Sequence, residues 1–478
     1  MAAGNKAANI VLTAPQAAAA NNGCRMSTRP VLLLVLLALP LEAGYLALRR
    51  LGDLQQNAVE TIGLWFAISI FYLVSCWWVM KNHPDGASRP RRGMTGWLAL
   101  AGLAFRLTVL PLYPSLSEDP HRYRWEGKLQ QAGGNPYLAK PQDPRWSGLR
   151  DRTWASVNRK DLPTAYGPVL EWLYRGTYLA ASRLASDEFR QVWLFKIPFL
   201  VFDLGAAAVI LQLLRRLRLP ACWAVVYFWS PLSVVEIWAV GHNDSALIFF
   251  LLAALWAGSA GRWGWAMGAL WMAALCKFWP LLLFPLFCLS GGRDRWPARL
   301  LEMLAWTPLA ALICLPYWRG VAELGQMGLG FAAGWRNNAS LYNLVYAASG
   351  GDYERGKPVV AALLVVMALA VAWRRPGLVA GTLQTVAGVL FLSANCFPWY
   401  LLWMVPLLAA APQPALLLWT ALVPLSYHIL IGYQAGGEWR EDPAYLWLEY
   451  LPVFGMLLAG WVKAMAGASR KRRAGVIP

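Results

Sequence analysis

Residues 117–137 read SEDPHRYRWEGKLQQAGGNPY. Three carboxylates, Glu118, Asp119 and Glu126, sit here among His121, Arg122, Arg124 and Lys128, with Arg106 just upstream. Immediately before this island the chain runs WLALAGLAFRLTVLPLY over 97–113. An apolar run of that length reads as a membrane helix, and the polar island after it as a loop outside the bilayer. The contrast decides the fold class: an all-α polytopic membrane protein whose chemistry sits in a loop.

The rest of the chain supports that reading. Of 478 residues, 58% are hydrophobic and 14% charged, well under the roughly 25% charge of a soluble domain. The 28 tryptophans suit membrane–water interfaces. The net charge of +18 does not imply nucleic acid, because no compact basic domain carries it. The basic residues fall instead in clusters between apolar runs: Arg89, Arg91 and Arg92; Arg215, Arg216 and Arg218; Arg293, Arg295 and Arg299; Arg374 and Arg375; and 470–473. This is the positive-inside pattern. The seven cysteines form no CxxC pair and mostly lie within apolar runs, so they read as small packed hydrophobes.

Apolar runs at 30–48, 61–80, 94–112, 191–214, 219–239, 245–260, 263–276, 279–290, 301–317, 358–373, 377–393, 399–411, 414–431 and 444–466 predict about 12–14 membrane helices. Pro231, Pro280, Pro285 and Pro406 predict kinks or half-helices among them. Residues 1–29 read as a disordered or misassigned tail, 30–467 as one membrane domain and 468–478 as a basic cytoplasmic tail. An even span count puts both termini and every basic cluster in the cytoplasm. The long polar segments 113–190 and 318–357 then face the other side, in a cell inner (plasma) membrane. Residues 166–185 could span by length, but Glu171, Arg175 and Arg183 make that costly, each Arg by about 2.5–3.5 kcal/mol at the bilayer centre. They read as an amphipathic interfacial helix, with Glu171 and Arg175 as an i,i+4 pair.

Within the outer segments, a carboxylate beside guanidinium groups is either a solvated ion pair of little energetic consequence or a general base next to an anion site. Asp119, with Glu118 as second choice, is the candidate base; Arg122, Arg124, Lys277 and Arg336 are candidate phosphate binders. His121, Tyr166, His242, Asn243, Asp244, Trp335, Asn337 and Asn338 are candidate substrate contacts. His242 to Asp244 stand at an outer helix end, with Glu236 upstream in the same run. Ionisable groups there face a cavity or a counter-charge. Lys277 reads equally as a snorkelling cation. Lys196 and Asp203, seven apart, read as a structural pair. Asn338-Ala339-Ser340 matches a glycosylation sequon, a pattern common by chance. Pro398 to Tyr400, in ANCFPWYLLWMVP, read first as an interfacial anchor. The adjacent Glu118 and Asp119 carboxylates can bind Mg²⁺ or Mn²⁺, although no third ligand stands beside them. No P-loop, GxSxG or HExxH occurs.

The segments SEDPHRYRWEGKLQQAGGNPY, YGP (166–168), FKIPFLVFDLGAA (195–207), SPLSVVEIWAVGHNDSAL (230–247), KFWPLLLFPLF (277–287), WRNNASLYNLV (335–345) and ANCFPWYLLWMVPLLA (394–409) resemble, in order, those of GT-C superfamily integral-membrane glycosyltransferases. The resemblance is to the bacterial polyprenyl-phosphate-mannose-dependent mannosyltransferases. It implies a catalytic acid in the first large extracytoplasmic loop, here Asp119, an interfacial helix after it, and a lipid-linked sugar donor transferred with inversion. Pro120 and His121 replace an aliphatic residue and an aromatic one, and Glu126 stands where that group has Asp; these departures bear on the sugar and the acceptor. The expected activity is transfer of a hexose, mannose first, from a polyprenyl-phosphate donor to a glycan or glycolipid acceptor, in contact with membrane lipid. A flippase or transporter of lipid-linked sugar is the alternative, weakened by the lack of an internal repeat. A ligase using lipid diphosphate donors is a third.

Overall fold

The computed structural model describes residues 29–83, 92–320, 336–437 and 439–473. Those residues form α-, 3-10 and π-helical segments joined by loops, with no named strand. α1 (Arg29–Leu51), α2 (Ala58–Asn82) and α3 (Arg92–Val109) open the chain. α4 (Asp119–Gln131) and α5 (Pro168–Leu184) lie in the first outer segment, joined by two short 3-10 turns. α6 (Glu188–Leu194) and α7 (Lys196–Arg216) follow, then α8 (Val225–Phe228), α9 (Asp244–Ser259) and α10 (Trp263–Cys276). α9 packs between α7 and α10, and α4 lies along α5.

Seven helices among the described residues are long and apolar enough to cross a membrane. The run expected at 219–239 is broken into Ala221–Phe228 and Ser233–Val240, bent by 53°, with Pro231 at the break. The remaining six expected runs form helices too short to span alone, such as Asp244–Ser259 and Trp263–Cys276. Hydropathy detects apolar runs, and it does not distinguish a full span from a half-helix buried among other helices. Among the described residues, seven of the expected runs thus have spanning length by themselves, an eighth is the bent pair, and the other six are shorter apolar helices.

Close approach of α4 to α5 is permitted by Gly127, where a Cβ would stand 2.4 Å from the Tyr174 carbonyl oxygen. α5 presents one face to α4, and that face carries Glu171. The expected Glu171–Arg175 pair is absent. Glu171 is fully buried and bonded to Thr164 Oγ1 at 2.7 Å and Gln130 Nε2 at 2.8 Å, whereas Arg175 lies over the Trp172 ring. Burial, then the neighbouring Glu126, pushes the Glu171 carboxyl well above its ordinary range.

Lys196 and Asp203 do not pair either. Lys196 Nζ donates to the carbonyls of Leu110 and Leu112, both at 2.9 Å. Asp203 is bound by Arg106 Nε at 2.8 Å, Tyr227 OH at 2.5 Å and Trp238 Nε1 at 2.8 Å. Both residues tie helices together. The described cysteines are all free.

Candidate active site

Asp119 begins α4, where Ser117 Oγ accepts its backbone N–H at 3.2 Å. Pro at the second position suits a helix start. Seen down the axis, Asp119, Arg122 and Glu126 share one side, because residues three to four apart lie on one face. Asp119 and Arg122 line a cavity of about 380 Å³, and Glu126 lies buried behind them. Asp119 Oδ1 accepts from Asn158 Nδ2 at 2.6 Å; Oδ2 faces Tyr123 OH at 3.4 Å and His242 Nδ1 at 3.7 Å. The side chain is 13% exposed. Burial raises its pKa above the ordinary aspartate value, while the bond from Asn158 and the charge of Lys277 hold it down. Glu118 also lines the cavity and is raised by burial, against the attraction of Lys160.

The residues expected to bind phosphate separate. Lys277 lines the cavity; its Nζ bonds Asp244 Oδ1 at 2.5 Å and lies 5.1 Å from the Tyr400 ring centroid. Two of its ammonium hydrogens remain for a ligand. Arg122 touches the cavity, but its guanidinium bonds Glu126 and the carbonyls of Asn158, Arg159 and Leu162. It holds the 158–162 segment that delivers Asn158 to Asp119. Arg124, five residues after Asp119, points to the opposite side of α4. All three of its nitrogens bond to Gln191, Asp151 or Thr153, and it is not part of the cavity wall. Arg336 stacks on Tyr346 at 4.3 Å and lines a separate opening with Trp439 and Arg440.

Among the expected substrate contacts, Tyr166 lines the cavity. His121 does not. It is buried against Tyr113 OH at 2.8 Å, and burial, then Arg124, lowers its pKa to about 4. The 242–244 triplet divides its work. His242 stands beside Asp119, Asn243 Nδ2 bonds Tyr174 OH at 2.6 Å, and Asp244 receives both Lys277 and Trp403 Nε1 at 2.5 Å. Asn337 forms a lone parallel bridge to Asn395, so this segment braces the 394–396 stretch and does not itself enter the cavity. Asn338, at φ 54°, is buried and bonds Glu449 at 3.1 Å, so it is no surface sequon. Trp335 lies outside the described residues.

The ANCFPWY stretch differs from its expected anchoring role. Trp399 and Trp403 are buried, and Phe397, Trp399, Tyr400 and Trp403 line the cavity together with Trp279 and Phe278. Phe397 stacks on Trp399 at 4.5 Å and Trp399 on His242 at 4.1 Å; Tyr400 and Trp279 both stack on Trp403. Asn395, Asn158 and Arg159 also line the wall. Their hint in the sequence was slight: Asn158 and Arg159 belong to an unpatterned polar loop.

Glu236 owes its position to a π-helical turn, Ser233–Val240, that ends in Gly241 at φ 93°. The Glu236 carbonyl accepts both Gly241 N–H at 3.1 Å and His242 N–H at 2.9 Å. Such turns recur at functional sites, and this one sets the Glu236 side chain beside His242.

The site therefore combines two adjacent carboxylates, Glu118 and Asp119, the Lys277 cation, and an aromatic wall able to cover apolar chain and sugar faces. No group of three or more His, Cys, Asp or Glu among the described residues is arranged to hold a metal ion. Glu118 and Asp119 both line the cavity, and no third such side chain is grouped with them among the described residues. No curated protein and no solved structure matches the chain. A family model described as alpha-(1->6)-mannopyranosyltransferase, N-terminal domain, matches residues 35–290, more than half of the chain and all of the first outer segment. With that match, and with the acid, the cation and the aromatic wall in one cavity, the chain belongs to the MptA_B family of GT-C mannosyltransferases.

Proposed function

We propose that the protein moves mannose from a polyprenyl-phosphate donor to a glycan or lipid-linked acceptor on the extracytoplasmic side, with Asp119 as general base. The observation that carries this is the cavity: a raised-pKa carboxylate and a lysine face one space walled by tryptophan and tyrosine. The lipid chain and sugar lie against the aromatic wall, and Lys277 binds the donor phosphate. Asp119 takes the acceptor hydroxyl's proton as the oxygen attacks the anomeric carbon. The carbon–oxygen bond to phosphate breaks, and the phosphate leaves as an anion stabilised by Lys277. One displacement inverts the sugar, so an α-linked product, as the family description prints, requires a β-linked donor.

The sidedness is supported by helix polarity. The site gathers the start of α9 and the end of α10, whereas Arg215 and Arg216 close α7 near the other end of α9, with Arg216 Nε bonded to the Ser259 carbonyl at 3.1 Å. A basic far end is the cytoplasmic one under the positive-inside rule.

The test is transfer by purified protein in liposomes, using a synthetic β-mannosyl polyprenyl phosphate. Asp119→Asn should lower transfer by about 10²–10⁴-fold while the variant still elutes as a folded species. Turnover by that variant near the wild-type rate, or equal use of the α-linked donor, would refute the mechanism. Movement of donor across the bilayer with no glycosylated product would favour the flippase.

A further inference from the structure

His242 is fully buried, yet neither ring nitrogen has a hydrogen-bond partner. Each faces one carboxyl oxygen: Nδ1 is 3.7 Å from Asp119 Oδ2, and Nε2 is 3.4 Å from Glu236 Oε2. Stacking on Trp399 holds the plane of the ring. Glu236 is also fully buried; its Oε1 accepts from Tyr427 OH at 2.8 Å, and its Oε2 has no bond. Among the described residues no Lys or Arg pairs with Glu236, and Lys277, the cation of this site, is tied to Asp244. A buried carboxyl without a counter-charge keeps its proton, since ionising it there leaves an unpaired charge out of water. Burial, and then the charge of Lys277, hold the His242 pKa well below its ordinary value, so the ring is neutral.

These two protonation states leave one arrangement of hydrogens. Tyr427 OH occupies Oε1 of Glu236, which puts the carboxyl hydrogen on Oε2, directed at Nε2. A neutral imidazole carries one N–H. With Nε2 accepting, that hydrogen stands on Nδ1, directed at Asp119 Oδ2. We propose that protonated Glu236 fixes His242 in the Nδ1–H tautomer, so that the ring holds the Asp119 carboxylate as a hydrogen-bond donor. With the hydrogen on Nε2 instead, the Nδ1 lone pair would face the carboxylate and repel it. The Nδ1 contact is longer than the roughly 2.7–3.2 Å of a hydrogen bond, and contacts between catalytic groups tighten as the reacting complex forms. Asn158 then holds Oδ1 and His242 holds Oδ2, which aims the carboxylate at the cavity. Because the donor is neutral, Asp119 keeps more of its basicity than it would beside an imidazolium. No proton leaves His242 or Glu236 during transfer. Both act through Asp119 and are positioning residues. The inference rests on Asp119 being the base.

The test is magnetic resonance of the full chain in liposomes, carrying isotope-labelled histidine, beside transfer from β-mannosyl polyprenyl phosphate. The chain has four histidines, and the His242 signals are those missing from His242→Gln. The wild type should show a protonated Nδ1 and an unprotonated Nε2. Glu236→Leu removes the donor to Nε2. Its Nδ1–H population should fall, and kcat should drop about tenfold or more, the worth of a hydrogen bond to a charged group, with donor KM unchanged. The acid limb of its kcat/KM should move to higher pH, because ionised Asp119 has lost a donor. A loss of packing alone would move neither the tautomer nor that limb. Glu236→Gln, the conservative variant, offers an amide hydrogen to Nε2 and a carbonyl to Tyr427 OH. It should restore the tautomer and most of the rate. A wild-type ring protonated on Nε2 alone, or on both nitrogens, overturns the proposal and needs no variant to fold. So does Glu236→Gln as slow as Glu236→Leu, since the proton or charge of the acid would then be in use. The tautomer is read without turnover, so its failure is distinct from failure of the base, which appears as near-wild-type transfer by Asp119→Asn.

Discussion

Two acids, the buried Asp203 and the cavity-facing Asp119, have opposite surroundings. Around Asp203, Arg106, Tyr227 and Trp238 supply donors to both carboxylate oxygens, and the Arg106 guanidinium also bonds the carbonyls of Gly102 and Phe228. Around Asp119 there is one short bond, from Asn158, and the adjoining His242 and Glu236 carry unbonded atoms. The first cluster is complete and joins α3, α7 and the bent helix pair. The second is incomplete and opens on a cavity. Both hold charge in an apolar protein; the saturated one stabilises the fold, and the unsaturated one is available to a substrate. The same distinction separates Arg124, whose three nitrogens are all bonded, from Lys277, which keeps free hydrogens.

The sharpest way to break this comparison is to neutralise each acid. Asp119→Asn should lower transfer by about 10²–10⁴-fold, with thermal unfolding in detergent close to wild type. Asp203→Asn should do the reverse. Leaving Arg106 buried without its counter-charge costs about 3–5 kcal/mol, read as a fall in Tm or in folded yield, while the folded fraction retains its donor KM. If the two variants changed places in these readouts, the assignment of one acid to chemistry and the other to architecture would fail.

A smaller effect is expected at Lys277. Lys277→Met should raise donor KM about tenfold or more, since a hydrogen bond to a charged group is worth about 1.5–3 kcal/mol, and Lys277→Arg should recover part of it. An unchanged KM would remove Lys277 from the phosphate site. Subtler again is the pH profile. A base must be ionised to act, so activity falls as pH drops through the raised Asp119 pKa. Asn158→Ala deletes a bond that stabilises the ionised form, and the acid limb of kcat/KM should move to higher pH; a limb that stays put would mean another group controls it.

The smallest effect tests the structural side. Glu171 has its folded pKa raised by burial and by Glu126. Its contribution is fully present below the unfolded carboxylate pKa and is lost as pH rises through the folded value. Glu171→Gln should therefore melt at or slightly above wild type near neutral pH, by about 1 kcal/mol or less, and the difference should disappear on acidification. A constant difference would mean that Glu171 does not titrate in this range.

Much of this was legible before any coordinates. The apolar runs located the long helices, Pro231 marked the break, and the charged island after 97–113 offered Asp119 as the candidate acid; the short helix Leu341–Ala348 lay outside every apolar run. What stayed hidden depended on direction. Arg122 and Arg124 are equivalent by composition, but two residues on a helix turn the side chain about 200°, and so Arg122 meets the cavity while Arg124 meets Gln191 and Asp151. Asp151 shows that side's completeness: burial opposes its charge, yet Lys128 and Arg124 hold its pKa at about 2. The 397–403 aromatics were ambiguous for a related reason, because an interfacial belt and a cavity wall share one composition.

The sequence by itself determined the all-α membrane class, the order of the helices and the candidacy of Asp119. These follow from hydrophobic runs and local charge, which are properties of neighbours along the chain. Only the tertiary structure decided which charges are neutralised and which remain open. That depends on groups far apart in sequence: Asn158, His242, Lys277 and Trp399 converge on Asp119 because α4, α9, α10 and the 394–403 stretch pack around one cavity.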